Sequence, residues 1–320
     1  ETGAMASFMA AGTAYAVHGV PTIPFYIFYS MFGFQRVGDM IWACGDMMCR
    51  GFLLGGTAGR TTLNGEGLQH QDGHSHVLAS TVPNLKSYDP AFAYELAVIV
   101  RDGIYRMYEQ GENIFYYLTL YNENYAMPAI PESSRDNIEE GILKGAYCYR
   151  RCGDETRAKV HLLASGAIMQ QAIKAAEQLE QLGYCATLWS VTSFIELERD
   201  AEACERWNRL HAGESPRLPY IQSLLQDEGG VFVAVSDYMK ALANSIAKWV
   251  PGRFEVLGTD GFGLSESRAD IRDHFEVSTD YIVQASLAAL LKEQKISPAQ
   301  FEKHCAGLAV KPDKLSSMQR

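Results

Sequence analysis

Three of the chain's eight histidines lie in one short glycine-rich stretch, residues 65–76. His70, His74 and His76 share this stretch with the carboxylates of Glu66 and Asp72. Histidine titrates near neutral pH, a neighbouring carboxylate can orient it, and glycine lets the backbone come close to a ligand. The stretch is therefore typical of a catalytic loop, although solvated histidines in a polar loop are the simpler alternative.

A metal site is a second interpretation of the same residues. His70, His74, His76 and Asp72 offer enough nitrogen and oxygen ligands for zinc or for a non-haem metal hydrolase. We expect no metal ligands in this chain, and a metal analysis of the purified protein distinguishes the two interpretations.

Composition limits the class of protein. The chain has 320 residues, of which 47% are hydrophobic, and a net charge of -10. It is long enough to bury one or two cores, and its dispersed basic residues argue against a nucleic-acid or anionic-membrane surface. Apolar runs stay short of the roughly 20 residues of a membrane span. Seven cysteines without a Cys-x-x-Cys pair indicate reduced thiols and a cytoplasmic location.

Alternating strands and helices are expected on both sides of the glycine-rich stretch. We expect a buried helix at 3–18, a second helix at 33–48 and a third at 90–109. The expected strands are 22–29, covered on both faces, 52–54 and 114–120. Such alternation predicts a parallel α/β sheet, in which strand ends such as Gly55 and Asn122 face a ligand crevice.

A second α/β series follows residues 122–140, which interrupt the pattern. We therefore predict two domains, residues 1–131 and residues 132–320. The expected strands of the second are 160–164, 186–191, 231–235 and 254–258; the expected helices are 167–181, 195–210, 237–249 and 266–274. The fold class is α/β, with two consecutive parallel-sheet domains that carry helices on both faces.

Three segments carry a resemblance to a known family. They are Pro24–Arg36, Gly51–His70 and Gly258–Gly263. There the chain resembles the homodimeric pyruvate dehydrogenase (acetyl-transferring) component of the pyruvate dehydrogenase complex. That family consists of thiamine diphosphate enzymes of transketolase-like fold, and the resemblance covers only their pyrimidine-binding and C-terminal domains. The ligands of Mg²⁺ are accordingly expected upstream of this chain.

The resemblance implies cofactor contacts for four residues. Glu1 aligns with the glutamate that hydrogen-bonds the aminopyrimidine ring, and Phe32 with the aromatic residue that stacks on it. Tyr29 and Arg36 lie near that ring in the family pattern. By itself Phe32 follows an aromatic strand, and from the residues alone a place in the core is the default.

Within the glycine-rich stretch, Glu66 and His70 match residues that the family places at its active centre. An imidazole there can hydrogen-bond the substrate carboxylate or assist a protonation. We expect His74 and His76 to make structural hydrogen bonds. Gln71 stands where an acidic residue is expected. Gly258–Arg268 is either a phosphate cradle or, as we expect, a tight turn at a domain or subunit interface.

The implied activity is that of an oxidoreductase. It is the oxidative decarboxylation of pyruvate, with transfer of the acetyl group to the lipoyl group of the dihydrolipoyl acetyltransferase component. The implied assembly is a homodimer, with neither nucleic acid nor membrane as a partner. The alternative is an inactive or split fragment, which acts as a dimerisation and pyrimidine-binding module beside a separate diphosphate-binding domain. We expect these 320 residues alone to be inactive.

Overall fold

A computed structural model describes residues 1–130 and 135–319, which form two α/β units, each built on its own sheet. The strands of the first unit are β1 (Phe25–Tyr29), β2 (Phe52–Gly56), β3 (Leu85–Tyr88) and β4 (Phe115–Thr119). Its helices are α1 (Thr2–His18), α2 (Ser30–Asp46), α3 (Ser75–Ala79) and α4 (Ala93–Ile104). The strand order is β1-β2-β4-β3, and all neighbours are parallel.

The second unit has a five-stranded sheet. Its strands are β5 (Ala146–Arg150), β6 (Lys159–Ala164), β7 (Cys185–Val191), β8 (Val231–Val235) and β9 (Arg253–Leu257), in the order β5-β7-β6-β8-β9. Its helices are α5 (Arg135–Lys144), α6 (Met169–Gln181), α7 (Phe194–Leu210), α8 (Tyr220–Leu225), α9 (Lys240–Asn244), α10 (Arg268–His274), α11 (Thr279–Lys292) and α12 (Pro298–Cys305). The predicted fold class, two α/β units dominated by parallel strands, is confirmed.

Continuous apolar strands explain where the second core lies. All residues of β7 and β8 are buried, because helices cover both faces of this sheet. One apolar cluster joins the sheet to α6 and α11, and another joins it to α7, α8 and α9. This is the sequence pattern expected of a parallel sheet covered on both sides.

Two expectations about the sheets were wrong. Strand β5 runs antiparallel to β7, so the second sheet is mixed at this edge rather than wholly parallel. Strand β1 is covered on one face only, since Phe25, Ile27 and Tyr29 are exposed on the other. Helix α1 is likewise not a buried helix: its buried residues are Met5, Phe8, Gly12 and Thr13. Both elements lie at an edge of the first unit.

Two further expectations failed for local reasons. The helix expected at 237–249 is divided into α9 and a 3₁₀ turn at Ala247–Trp249, and it starts only at Lys240, because Asp237 and Met239 bond to the first unit instead. The cysteines are not all reduced thiols: Cys152 and Cys185 form a disulfide, with Cα atoms 5.4 Å apart. The two cysteines are 33 residues apart, and no spacing motif in the sequence indicated that they would pair.

The domain boundary predicted between residues 131 and 132 lies outside the described residues. Among the helices within residues 1–130 and 135–319, none combines the length and the apolar character needed to cross a membrane.

Candidate active site

The parallel pairing of β1 and β2 brings the predicted site residues to one edge of the first sheet. Tyr29, the last residue of β1, pairs with Gly56, the last residue of β2. Helix α2 begins directly after Tyr29 and carries Phe32 in its first turn, while residues 57–74 leave β2 as a loop that ends at α3. We call residues 57–74 the active-site loop. The carboxyl ends of parallel strands are where α/β sheets bind ligands.

His70 packs against the two aromatic residues of this edge. Its ring meets the Phe32 ring edge-on at 5.2 Å between centroids, and the Tyr29 ring at 6.0 Å. The Nδ1 atom of His70 lies 3.9 Å from Glu66 Oε2, which is too far for a hydrogen bond. This buried nitrogen has no hydrogen-bond partner in the described part of the chain, and a buried polar atom of this kind calls for a partner.

Glu1 and Arg36 extend the same cluster. Arg36 Nη1 donates to Glu1 Oε1 at 2.8 Å, and the Arg36 guanidinium lies 4.1 Å from the centre of the Phe32 ring. Arg36 therefore bridges the carboxylate and the aromatic ring, instead of standing apart from them. Phe32 is half-buried and Tyr29 exposed, so neither is a core residue. The structure thus brings Glu1, Tyr29, Phe32, Arg36, Glu66 and His70 into one connected group.

The other two histidines of the loop region have partners within the protein. His76 is buried, with its Nδ1 2.7 Å from the Ser87 hydroxyl and its Nε2 3.2 Å from the Thr119 hydroxyl. His74 Nε2 lies 2.8 Å from the amide nitrogen of Gln35. Burial lowers the pKa of both rings and favours their neutral forms. These contacts agree with the expected structural hydrogen bonding.

The metal-site interpretation receives no support from this geometry. The Asp72 carboxylate accepts hydrogen bonds from the backbone N–H groups of His74 and Ser75, each at 3.0 Å, so it is engaged with the backbone where α3 begins. Over residues 1–130 and 135–319, no three His, Cys, Asp or Glu side chains come together in a way that could hold a metal ion.

Buried charges of the second unit hold the base of the active-site loop. The Thr61 N–H donates to Asp237 Oδ1 at 3.1 Å, and Arg272 Nε donates to the Thr61 hydroxyl at 3.2 Å. Arg272 also forms an ion pair with Glu123, Nη1 to Oε1 at 3.1 Å. Burial raises the pKa of Asp237 to about 6, although Arg272 and Thr61 partly offset this effect.

The glycine-rich segment 258–268 packs at this interface between the two units, as predicted. The Arg268 N–H donates to Asn64 Oδ1 at 2.9 Å, and Arg268 Nε donates to the Thr62 carbonyl at 2.6 Å. Helix α10 begins at Arg268 and not, as expected, at Glu266. Because the segment bonds to the active-site loop, the phosphate-cradle interpretation loses its support.

Sequence reasoning missed two buried charged residues: Asp237, which lies beneath the active-site loop, and Arg60, which belongs to the loop itself. Arg60 is 5% exposed, and burial lowers the pKa of its guanidinium against the opposing effects of Asp72, Asp237 and Asp260. One signal was available: Asp237 follows the wholly apolar strand β8 by two residues, at the carboxyl end of a parallel strand.

Solved structures define the class of fold. A transketolase from Campylobacter jejuni is 19% identical, with a TM-score of 0.61, covering 88% of this chain and 38% of that one. A transketolase from Leishmania mexicana is 17% identical, with a TM-score of 0.61, covering 84% and 34%. A structure described as "Split gene transketolase, inactive beta4 tetramer" is 15% identical, with a TM-score of 0.58, covering 91% of this chain and 82% of that chain. At these identities the likeness shows a transketolase-like fold.

Sequence comparison is more specific. Residues 1–128 match the family described as the pyruvate dehydrogenase E1 component middle domain, and residues 145–278 match the transketolase-like C-terminal domain. The pyruvate dehydrogenase E1 component of Pseudomonas aeruginosa is 52% identical over 316 residues, which is 98% of this chain and 35% of that protein. That of Escherichia coli strain K12 is 51% identical over 319 residues, 99% and 35%. The chain belongs to the pyruvate dehydrogenase E1 component family and spans about a third of the length of these curated relatives.

Proposed function

We propose that this chain supplies the pyrimidine-binding half of the active centre of a pyruvate dehydrogenase that uses thiamine diphosphate with Mg²⁺. The full reaction is the oxidative decarboxylation of pyruvate, with transfer of the acetyl group to the lipoyl group of a dihydrolipoyl acetyltransferase. The observation that carries this proposal is the connected group of Glu1, Arg36, Phe32, His70 and Glu66 at the carboxyl ends of β1 and β2.

The residues present fit one half of the cofactor. A carboxylate, an accessible aromatic ring and a buried His70 Nδ1 without a partner in the described residues suit a flat nitrogen heterocycle and a small substrate beside it. Mg²⁺ prefers oxygen ligands, and we propose that its ligands and the diphosphate site lie outside these 320 residues.

When bound, thiamine diphosphate supplies the carbanion chemistry that removes carbon dioxide from a 2-oxo acid. Glu1 would share a proton with a ring nitrogen of the aminopyrimidine, with Arg36 keeping the carboxylate in place. Phe32 would stack on the same ring. His70 would hydrogen-bond the substrate carboxylate or deliver a proton next to it, with the Glu66 carboxylate 3.9 Å from its Nδ1.

The assembly that we propose is a homodimer. The outward face of β1 exposes three apolar side chains: Phe25, Ile27 and Tyr29 are between 47% and 64% exposed. Large exposed apolar patches favour a protein partner. Activity should therefore sediment with the dimer, and an active monomer in analytical ultracentrifugation would contradict this assembly.

A second candidate function is that of a separately encoded module. This chain covers 82% of the split-gene transketolase chain, which is described as an inactive tetramer. By analogy, the 320 residues alone would bind a partner chain and show no turnover. The mass of the native polypeptide distinguishes the two cases: a chain near 35.5 kDa supports the module, and a much longer one supports the single-chain enzyme.

Steady-state kinetics of the native protein test the proposed reaction. With thiamine diphosphate and Mg²⁺ present, pyruvate should give a higher kcat/KM than 2-oxoglutarate or xylulose 5-phosphate. A better substrate among the other two, or turnover without the cofactor, would reject the proposal. The cytoplasmic location remains a prediction from the sequence.

A further inference from the structure

The second unit holds the active-site loop on both sides of His70. Before His70, the Gly65 N–H donates to the Glu266 carbonyl at 3.0 Å. After His70, the Met239 N–H donates to the Gly73 carbonyl at 2.8 Å. The loop therefore takes its shape from backbone contacts with residues far away in the sequence.

One side chain makes this connection directly beside His70. Gln71 is 1% exposed; its Nε2 donates to the Leu264 carbonyl at 2.9 Å, and its Oε1 accepts from the Leu264 N–H at 2.8 Å. A Cβ atom at Gly263 would lie 2.2 Å from Gln71 Oε1 and 2.8 Å from the Leu68 carbonyl. The absence of a side chain at Gly263 thus permits this close approach.

Only a group that both donates and accepts can pair with both backbone atoms of Leu264. The primary amide of Gln71 does so, whereas an ionised carboxylate only accepts and would place its negative charge against the partial negative charge of the Leu264 carbonyl oxygen. Leaving that carbonyl unpaired in a buried position would also be unfavourable. The amide at position 71, where an acidic residue was expected, therefore has a physical role.

The anchor acts on the short turn that presents the imidazole. Residues Leu68–His70 form a 3₁₀ turn, closed by bonds from the His70 N–H to the Gly67 carbonyl at 2.8 Å and from the Gln71 N–H to the Leu68 carbonyl at 3.4 Å. Gln71 thus fixes the end of the turn whose last residue places its ring against Phe32.

We propose that Gln71 is a positioning residue, through which the C-terminal half of the chain sets the orientation of His70. This inference rests on the proposed function only for its kinetic consequence. The anchoring itself can be measured without cofactor or substrate.

The test compares Gln71→Glu with Gln69→Glu in the native protein. Both place a carboxylate in the loop, but Gln69 is exposed, and no hydrogen bond of its side chain is found among the described residues. Gln71→Glu should raise amide hydrogen exchange in residues 64–71 by at least about 10-fold and lower kcat/KM for pyruvate by about 10-fold, the effect of losing a buried hydrogen-bond pair. Exchange of the thiazolium proton, which depends on Glu1, should stay within about two-fold.

Acidification distinguishes a lost anchor from a misfolded protein. A protonated carboxyl at position 71 regains a donor and an acceptor, so the loop protection of Gln71→Glu should return at low pH. The other titratable groups here are Arg60 and His74, which line the same cavity of about 560 Å³ as Gln71, and the carboxylates of Asp72 and Asp260, which act on Arg60, with Glu266 on the facing segment. Both variants contain these groups. The ratio of their amide exchange rates, taken at each pH, therefore removes the contribution of these groups and reports the carboxyl at position 71.

Gly263→Ala tests the contact from the opposite side. Its methyl group would displace Gln71 Oε1, so it should raise exchange in residues 64–71 as Gln71→Glu does, but without recovery in acid. If Gln71→Glu matches Gln69→Glu in loop exchange and in kcat/KM, the inference is wrong. A wild-type protein that does not turn over pyruvate counts against the proposed function, and loop exchange then decides the anchoring alone.

Discussion

The exposed edge of the first unit and the part of the second unit below the active-site loop treat polar side chains in opposite ways. At the edge of the first unit, Glu1, Arg36 and Glu66 remain partly exposed, and His70 Nδ1 lacks a hydrogen-bond partner among the described residues. Below the same loop, the second unit supplies Asp237, which is buried and bonded. Exposed or unpartnered groups are available to a ligand, whereas buried and paired groups hold the scaffold in place.

This comparison predicts that removing a group of the second unit chiefly costs stability. Arg272→Ala should lower the free energy of unfolding by about 3–5 kcal/mol, because it leaves Glu123 and Asp237 without their buried partner. Denaturant unfolding measures this loss.

Arg151→Ala is the matched control. Arg151 binds Glu228 through two bonds of 2.8 and 3.1 Å, as Arg272 binds Glu123, but the Arg151 side chain is 53% exposed and that of Arg272 is 7% exposed. Arg151→Ala should lower the free energy of unfolding by at most about 1 kcal/mol. Equal losses for the two variants would show that burial does not separate these ion pairs.

The buried charge of Asp237 gives a pH dependence with a defined sign. A carboxyl whose pKa rises on folding contributes stability that is complete below its unfolded pKa, near 4, and is lost as the pH rises through its folded pKa, here about 6. Asp237→Asn removes this titration. Its stability relative to wild type should therefore increase by roughly 2 kcal/mol between pH 4 and pH 7. Urea unfolding measures the stability difference between Asp237→Asn and wild type at each pH. A difference that stays constant across this range would contradict the raised pKa of Asp237.

The smallest effect on stability is expected at the exposed edge. Arg36→Ala should change the free energy of unfolding by less than about 1 kcal/mol, because its bond to Glu1 is exposed to solvent. It should instead weaken thiamine diphosphate binding a few-fold, since Glu1 and Phe32 lose their common neighbour; fluorescence titration can measure this. Arg50→Ala, which removes a cation over the Tyr15 ring away from the site, should leave cofactor affinity unchanged.

Much of the fold could be predicted because parallel strands leave a strong pattern. The run Val231–Val235 is β8 residue for residue, since a strand covered on both faces is wholly apolar. Strand β3 escaped prediction because its Lys86 pairs with Glu196 of the second unit and its Ser87 bonds to His76, so polar residues interrupt the run.

The site could be predicted only in part, for a similar reason. His70, Glu66 and Phe32 belong to segments whose resemblance indicated their places. Asp237 bonds to Thr61 across 176 residues of sequence, and Leu264 bonds to Gln71 across 193 residues. A local sequence pattern does not predict contacts over such separations. Long-range pairing of this kind appears only once the two units are folded against each other.

The most direct test of the central claim is exchange of the thiazolium proton of thiamine diphosphate, followed by NMR after acid quench, in the native protein. Glu1→Gln keeps the shape of the side chain but cannot share a proton with the pyrimidine, so exchange should slow by about 10²- to 10⁴-fold. His70→Ala should leave this exchange nearly unchanged and impair a later step with pyruvate. Equal slowing in both variants, or an effect of neither on turnover, would contradict the division of roles between Glu1 and His70.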